Sequence, residues 1–194
     1  MHPLRQLIHQ FVLLTDQEWQ LLYPHCDEIT IAKHTCFIKE GAQEKRIGFM
    51  LEGTMRQFYT TTTGEEVTTY FYFENNLVSS YISCINSTPS KITIEALDNC
   101  KLLVFSYNIL MVLFQQEKVW ETFGRKMAEY LAAGLEDRMA SLLMDTPEER
   151  YLKLLASRNK QKILLRIPQH YIANYLGITP ISLSRIRGRL SRGK

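Results

Sequence analysis

The sequence predicts an α+β fold, in which a strand-rich body is followed by a long helix and a small, basic helical tail. Between about residues 28 and 105, segments rich in Thr, Ile, Val, Phe and Tyr alternate in polarity as half-buried strands do. From 117 to 144, apolar residues recur every three or four positions, as on one face of a helix. From Arg150 to Lys194 the chain contains no acidic residue.

Composition and charge divide the chain into two unlike parts. It is 45% hydrophobic and 22% charged, which is typical of globular proteins and excludes disordered or fibrous chains. The net charge is only +3, yet residues 1–145 carry 12 Lys/Arg against 18 Asp/Glu, whereas residues 146–194 carry 11 against 2. The four cysteines form no CxxC pair, and we find neither a signal peptide nor an apolar run of about 20 residues. We therefore expect a cytoplasmic protein with free thiols and no membrane contact.

The body begins with a short helical region, roughly 3–25, because Thr15 and Glu18 have the spacing of a capping box. The strands follow, and Thr63-Gly64-Glu65 is expected at a hairpin tip. Many short strands at regular spacing predict a sandwich or a barrel.

A short helix is predicted over 106–115 and a long one over 117–144. At 1.5 Å per residue the long helix is about 42 Å, more than one barrel of about 80 residues can cover. We therefore expect a homodimer through 117–144; the alternative is that the apolar stripe packs on its own barrel and tail. The stripe consists of Val119, Phe123, Met127, Tyr130, Leu131, Leu135, Met139, Leu142 and Leu143.

A second capping box, Thr146-Pro147-x-Glu149, starts another helix and marks the start of the tail. The expected units are residues 1–116, 117–145 and 146–194.

The tail contains the pattern of a helix-turn-helix. Ala173 is small where two short helices would cross, Gly177 can end the first helix, and Thr179 can cap the second, with Pro180 at its first position. The inward apolar positions are Ile172, Leu176, Leu183 and Ile186.

The outward side chains of the second helix suit duplex DNA, because hydroxyl and guanidinium groups bind phosphates and guanine edges. A purely structural helix pair would not explain an acid-free tail, which repels itself without a polyanionic partner. The candidate DNA-binding residues are Thr179, Ser182, Ser184, Arg185, Arg187 and Arg189.

The order of these elements resembles the Crp/Fnr family of bacterial transcription regulators over nearly the full chain. Ile47-Gly-Phe-Met-Leu-Glu-Gly-Thr-Met is similar to the family's strand-turn-strand around a glycine, and Pro89-Ser-Lys-Ile-Thr-Ile-Glu-Ala to the end of its phosphate-binding cassette. The resemblance implies a double-stranded β-helix (a jelly roll of the cyclic-nucleotide-binding type), a dimerisation helix, and a helix-turn-helix with a wing reduced to about Lys162–Ile167. It also implies a homodimer on near-palindromic DNA, contact with RNA polymerase, and a base-reading role for Arg185.

The same comparison argues against cyclic AMP as a ligand. The family's cyclic-AMP binders use a Gly-Glu-Leu for the ribose and an arginine for the phosphate. Here Asn75-Asn76-Leu77-Val78-Ser79-Ser80 and Ser90 stand in their places, and serine does not replace a guanidinium. We assign no cofactor and expect an unidentified effector or none. A pocket for it would include Asn76, Ser79, Ser80, Ser90 and Lys91.

Other functions fit the sequence less well. His25, Cys26, His34 and Cys36 could in principle surround zinc, but their adjacent and alternating positions disfavour it, and we predict no metal site. A cupin-like enzyme would need several histidines in the strands, where only His34 lies, and no catalytic motif is present. We therefore predict no enzyme; a ligand-binding module with a protein-binding tail stays open as an alternative.

Overall fold

The computed structural model describes residues 1–192 and confirms the predicted α+β class. The strands are β1 (Asp27–Ile31), β2 (Cys36–Ile38), β3 (Arg46–Glu52), β4 (Met55–Thr60), β5 (Glu66–Tyr72), β6 (Leu77–Val78), β7 (Thr93–Ala96) and β8 (Cys100–Ser106). The helices are α1 (Pro3–His9), α2 (Asp16–Gln20), α3 (Tyr81–Asn86), α4 (Tyr107–Gln116), α5 (Lys118–Met144), α6 (Pro147–Ala156), α7 (Lys160–Arg166), α8 (Gln169–Tyr175) and α9 (Pro180–Arg192), with a 3-10 turn at Tyr23–His25.

The strands form the jelly roll that the resemblance implies. Two antiparallel four-stranded sheets, ordered β1-β8-β3-β6 and β2-β7-β4-β5, face each other across an apolar core. Met50 and Leu102 of one sheet and Met55 and Ile94 of the other are fully buried there. The predicted hairpin is confirmed: β4 and β5 are joined around Gly64, and β5 is an edge strand.

A second core joins the N-terminal helices to the start of α5. The predicted capping box is present, because Thr15 and Glu18 bond each other's backbone amides. Trp120, which the apolar periodicity alone did not single out, is completely buried and donates its indole N–H to the carbonyl of Glu18 at 3.3 Å. Together with the buried Phe123, it fixes the first turns of α5 on the body.

The second half of α5 leaves the body. One face of it carries five exposed apolar side chains, which we call the α5 stripe: Leu131, Leu135, Met139, Leu142 and Leu143. The apolar pattern of 117–144 therefore has two parts: the first covers the chain's own core, and the second is uncovered in the single chain.

The described part of the tail consists of helices α6 to α9 joined by short turns, and the last two positions of the predicted 146–194 unit lie outside the described residues. The second capping box is confirmed, with Thr146 and Glu149 bonding each other's amides at the start of α6. The reduced wing predicted around Lys162–Ile167 is wrong, because these residues belong largely to helix α7. Ile163 of that helix is buried in the tail's core.

The body and the tail share one apolar cluster. Phe71, Phe73 and Leu97 of the jelly roll are buried with residues of α6 to α9. At its edge, Glu74 accepts hydrogen bonds from both Lys162 (2.7 Å) and Arg166. The tail is thus docked on the jelly roll rather than tethered to it.

The docking predicts an acid-sensitive contribution to stability. Burial raises the pKa of Glu74, but the hydrogen bonds from Lys162 and Arg166 outweigh it and lower this pKa from 4.5 to about 2. A carboxyl whose pKa is lowered in the folded protein stabilises the fold when the pH is above the pKa of the unfolded chain. This contribution is lost as the pH falls from about 4.5 through 2. Glu74→Gln is therefore expected to lower Tm by about 2–4 °C at pH 7 and to flatten the fall of Tm below pH 4.5.

The control is Glu129→Gln. Glu129 pairs with Arg125 on α5, and both side chains are 60% exposed. The Tm of this variant should follow that of the wild type at every pH, from pH 7 to below pH 4.5. A Glu74→Gln curve that runs parallel to the wild type would contradict the assignment.

Within the described residues, no helix is both long and apolar enough to cross a membrane.

Candidate nucleic-acid interface

Helices α8 and α9 pack as the helix-turn-helix pattern predicts. Ile172, Ala173 and Leu176 of the first helical segment and Leu183 and Ile186 of the second are all buried together. Because Ala173 has only a methyl group, the two helices can approach closely where they cross.

The turn between the two helices requires a glycine and a cap. Gly177 has a φ of +68°, a backbone conformation that is strained for residues with a side chain but not for glycine. This left-handed conformation ends the first helix. Thr179 Oγ1 accepts the amide of Ser182 at 3.2 Å and lies 3.0 Å from its hydroxyl. The predicted cap is therefore present, and the hydroxyls of Thr179 and Ser182 are already paired with each other.

The remaining predicted residues lie on the outer side of α9. Ser184, Arg185, Arg187 and Arg189 are all exposed, whereas Leu183 and Ile186 on the same helix are buried. This alternation gives α9 an apolar face toward the tail and a basic, hydroxyl-bearing face toward solvent. Guanidinium and hydroxyl groups on an exposed helix are the chemistry that contacts base edges and phosphates.

The three arginines differ in their partners. Arg187 donates to the side-chain carbonyl of Gln169 at 2.5 Å, and Arg189 pairs with Glu148 at 2.6 Å. Arg185 forms no ion pair or hydrogen bond with any residue that the structure describes. Arg185 is therefore the guanidinium most directly available to a ligand.

Glu148 was not among the predicted residues. It lies at the start of α6, in a cleft that also contains Ser182, Arg185 and Arg189. The acid-free stretch begins just after it, at Arg150, so the sequence alone gave no reason to place a carboxylate beside the basic face. Glu148 thus places one negative charge beside the basic face of α9.

The predicted effector residues divide into buried and exposed groups. Ser80 and Ser90 are buried, and the Ser90 hydroxyl lies 2.9 Å from that of Ser80 and 2.8 Å from the carbonyl of Ile92. Asn76 closes a turn, where its side-chain oxygen accepts the amide of Phe73 at 3.0 Å. Ser79 is half-buried and Lys91 exposed.

These residues do not fit the phosphate of a cyclic nucleotide. The two hydroxyls satisfy each other and a backbone carbonyl, and neither carries the positive charge that a buried phosphate needs. The jelly roll does contain a buried arginine, Arg56, but Glu66 (2.6 Å) and Glu95 (2.9 Å) already pair with it. Neither these serines nor Arg56 therefore offers a free buried cation for the phosphate of a cyclic nucleotide.

The cysteines and histidines give no metal centre among residues 1–192, where no group of three or more His, Cys, Asp or Glu could hold an ion. All four cysteines are free. Burial raises the pKa of Cys26 and of Cys100 to about 12, so both thiols stay protonated at neutral pH.

The order of a double-sheet jelly roll, a long helix and a helix-turn-helix can be compared with known proteins. Residues 28–117 match the sequence model of the family described as cyclic nucleotide-binding domain. None of the curated proteins compared with the chain matches it.

Solved structures match over most of the chain. FixK2 from Bradyrhizobium japonicum is 19% identical, with 87% of this chain and 85% of that one covered and a TM-score of 0.73. CLP from Xanthomonas campestris, a c-di-GMP responsive global regulator, is 14% identical over 92% and 93% of the two chains, with a TM-score of 0.69. A protein from Eubacterium rectale described as a transcriptional regulator of the Crp/Fnr family is 16% identical over 93% and 85%, with a TM-score of 0.70.

Residues 28–117 thus match the model of the cyclic nucleotide-binding domain, and the chain as a whole has the fold of solved structures that include a transcriptional regulator of the Crp/Fnr family. The resemblance inferred from the sequence is confirmed at the level of the fold.

Proposed function

We propose that this protein is a transcription regulator that binds duplex DNA through the outer face of α9. One observation carries the proposal: Ser184, Arg185, Arg187 and Arg189 are exposed on a helix whose other face is locked into a helix-turn-helix core. The basic charge of the tail supports it, since 11 Lys/Arg stand against 2 Asp/Glu in residues 146–194. On this proposal the protein acts in the cytoplasm, contacts RNA polymerase and catalyses no reaction.

The functional form is a homodimer joined through α5. The α5 stripe supports this, because Leu135 and Leu143 are 71% and 75% exposed in the single chain. Two such helices in contact would bury the stripe in a symmetric interface. The dimer presents two copies of α9 about 34 Å apart, the spacing of successive major grooves, and so reads a near-palindromic site.

The three units predicted from the sequence then have separate roles. Residues 1–116 form the sensor, 117–145 the dimer helix, and 146–194 the DNA-binding unit. The sensor responds to an unidentified effector that is not cyclic AMP, and the effector shifts the population of DNA-competent chains.

Fluorescence anisotropy with labelled duplexes tests the proposal. A pool of genomic fragments, titrated at 50 mM to 200 mM salt, is expected to bind with an affinity that falls steeply as salt rises, because binding releases counterions. Flat anisotropy at low salt would overturn the proposal and favour a protein-binding tail.

Glu148→Gln is expected to tighten DNA binding about 2–5-fold at low salt. The carboxylate of Glu148 repels phosphates and holds Arg189 at 2.6 Å, so its neutral isostere removes the repulsion and releases a cation. The measurement is Kd by anisotropy on one duplex.

Glu121→Gln is the matched control, since Glu121 pairs with Lys118 near the far end of α5, at 2.7 Å. It removes the same charge and should leave Kd unchanged. An equal gain in both variants would mean that only net charge matters.

A further inference from the structure

Strand β5 is at the edge of its sheet, so one side of its backbone has no neighbouring strand. Natural proteins cover such edges, because unpaired amides and carbonyls readily pair with other chains. Here helix α8 of the helix-turn-helix lies against β5. The jelly roll and the DNA-binding unit therefore meet at this edge.

One side chain fills the edge as a strand would. Asn174, on α8, accepts the backbone amide of Thr68 at 2.5 Å and donates to the backbone carbonyl of Glu66 at 2.9 Å. A side-chain amide has the same donor and acceptor as a peptide group, so Asn174 replaces one residue of the missing strand. These contacts join residues 106 and 108 positions apart in the sequence.

The contact is reinforced next to Asn174. The guanidinium of Arg56, on the neighbouring strand β4, lies 3.9 Å from the ring centre of Tyr171 on α8 and 4.1 Å from that of Phe58. Phe71 of β5 lies 5.4 Å, centre to centre, from Tyr175 at the end of α8. The Arg56 side chain is only 2% exposed, so its contacts with Tyr171 and Phe58 are shielded from water.

The C-terminal end of α8 is also held by residues of α5 and α6. Arg138 of α5 donates to the carbonyl of Tyr175, and its guanidinium stacks on that ring at 3.9 Å. Arg150 of α6 donates to the carbonyl of Leu176 at 3.0 Å. Cations at a helix C-terminus bind its free carbonyls and interact favourably with the negative end of the helix dipole. Helix α8 is therefore fixed between the sensor sheet and the dimer helix.

This arrangement uses α8 and leaves α9 free. On α8, Asn174 and Tyr175 contact β5 and Tyr171 contacts Arg56 of β4, whereas Arg185 and Ser184 on α9 stay exposed. The docked pose is thus compatible with a ligand on the outer face of α9.

We infer that Asn174 is a positioning residue, which orders the helix-turn-helix on edge strand β5 in the pose that binds DNA. The role rests on the proposed DNA binding. Since α8 packs on α9 through Ile172, Leu176 and Leu183, holding α8 also sets the direction in which α9 presents Arg185. A change in the β4–β5 hairpin would then reach α9 through this contact.

The test compares the full-length wild type with Asn174→Ala, which has no hydrogen-bonding group, and Asn174→Ser, whose shorter side chain lacks the separate donor and acceptor atoms of an amide. We expect the Thr68 amide to exchange at least about 10-fold faster by NMR and specific DNA affinity to fall about 10-fold. The dependence of affinity on salt should stay unchanged, because no phosphate contact is lost. Asn108→Ala, at an exposed position of α4, should behave as the wild type in every respect.

If the role of Asn174 is merely structural, its variants will have a lower Tm, but their Kd for DNA, corrected for the fraction of active protein, will equal that of the wild type. Slow exchange at the Ile172 and Leu183 amides verifies that the helix-turn-helix core of the variant is folded. Faster Thr68 exchange with wild-type or tighter DNA binding would overturn the inference and leave the proposed function standing. Failure of the wild type itself to bind DNA would overturn both.

Discussion

Leu135→Asp is expected to convert the protein from a dimer to a monomer and to weaken DNA binding at least about 100-fold. Leu135 lies in the middle of the α5 stripe and is 71% exposed in the single chain. Because of two-fold symmetry, both chains place the substituted residue in the interface. Each unpaired buried carboxylate costs several kcal/mol. A monomer also loses the second half-site, which a dimer binds at high effective concentration.

Sedimentation or light scattering at micromolar concentration measures the mass, and anisotropy measures the affinity. Ala133→Asp is the matched control, because Ala133 is exposed on the opposite face of the same helix and gains the same charge. It should remain a dimer. A wild type that is monomeric, or a Leu135→Asp variant that is still dimeric, would contradict the role of the α5 stripe.

Arg185→Ala is expected to cost about 1–3 kcal/mol of DNA binding per half-site and to relax base preference at one position of each half-site. Arg185 is exposed on α9 and has no partner among the described residues, so its guanidinium can form two hydrogen bonds to a guanine edge. Binding to duplexes that differ by single base pairs measures the preference.

Two further variants separate base reading from charge. Arg185→Lys keeps the charge but loses the planar pair of donors, so it should lose the base preference and retain most non-specific affinity. Arg158→Ala, in the exposed turn between α6 and α7, removes a cation elsewhere on the tail and should weaken all sequences equally. Uniform weakening by Arg185→Ala would mean that this residue contacts only phosphate.

The parts of the fold that sequence reasoning predicted are those determined within a few residues of the chain. The capping boxes at Thr15 and Thr146, and the positive φ of Gly177, follow from short-range hydrogen bonding and sterics. The helix-turn-helix followed for the same reason, since apolar spacing, the turn and the cap all lie between Ile172 and Ile186.

The wing was predicted from the family resemblance, although the local sequence favours a helix there. Lys160-Gln-Lys-Ile-Leu-Leu-Arg166 consists almost entirely of good helix formers and lacks the alternation of a strand, so intrinsic propensity favours α7. The burial of Ile163 in the tail's core adds tertiary packing to that preference.

The remaining features depend on partners far apart in the sequence. The complete burial of Trp120 depends on its packing against the N-terminal helices, where its indole also bonds the carbonyl of Glu18. The role of Asn174 depends on the edge of β5. The pair of Arg189 with Glu148 likewise forms because α6 and α9 line the same cleft. Periodicity identifies which face of a helix is buried, but it does not identify the surface that covers the face.

Selection from a library of random duplexes tests the central claim most directly, because it asks whether the wild-type protein reads DNA as a symmetric dimer. The protein should enrich inverted repeats whose half-sites have centres about 10 base pairs apart, and Arg185→Ala should lose information at one position of each half-site. Enrichment of single half-sites, or no enrichment over the starting library at low salt, would contradict the account.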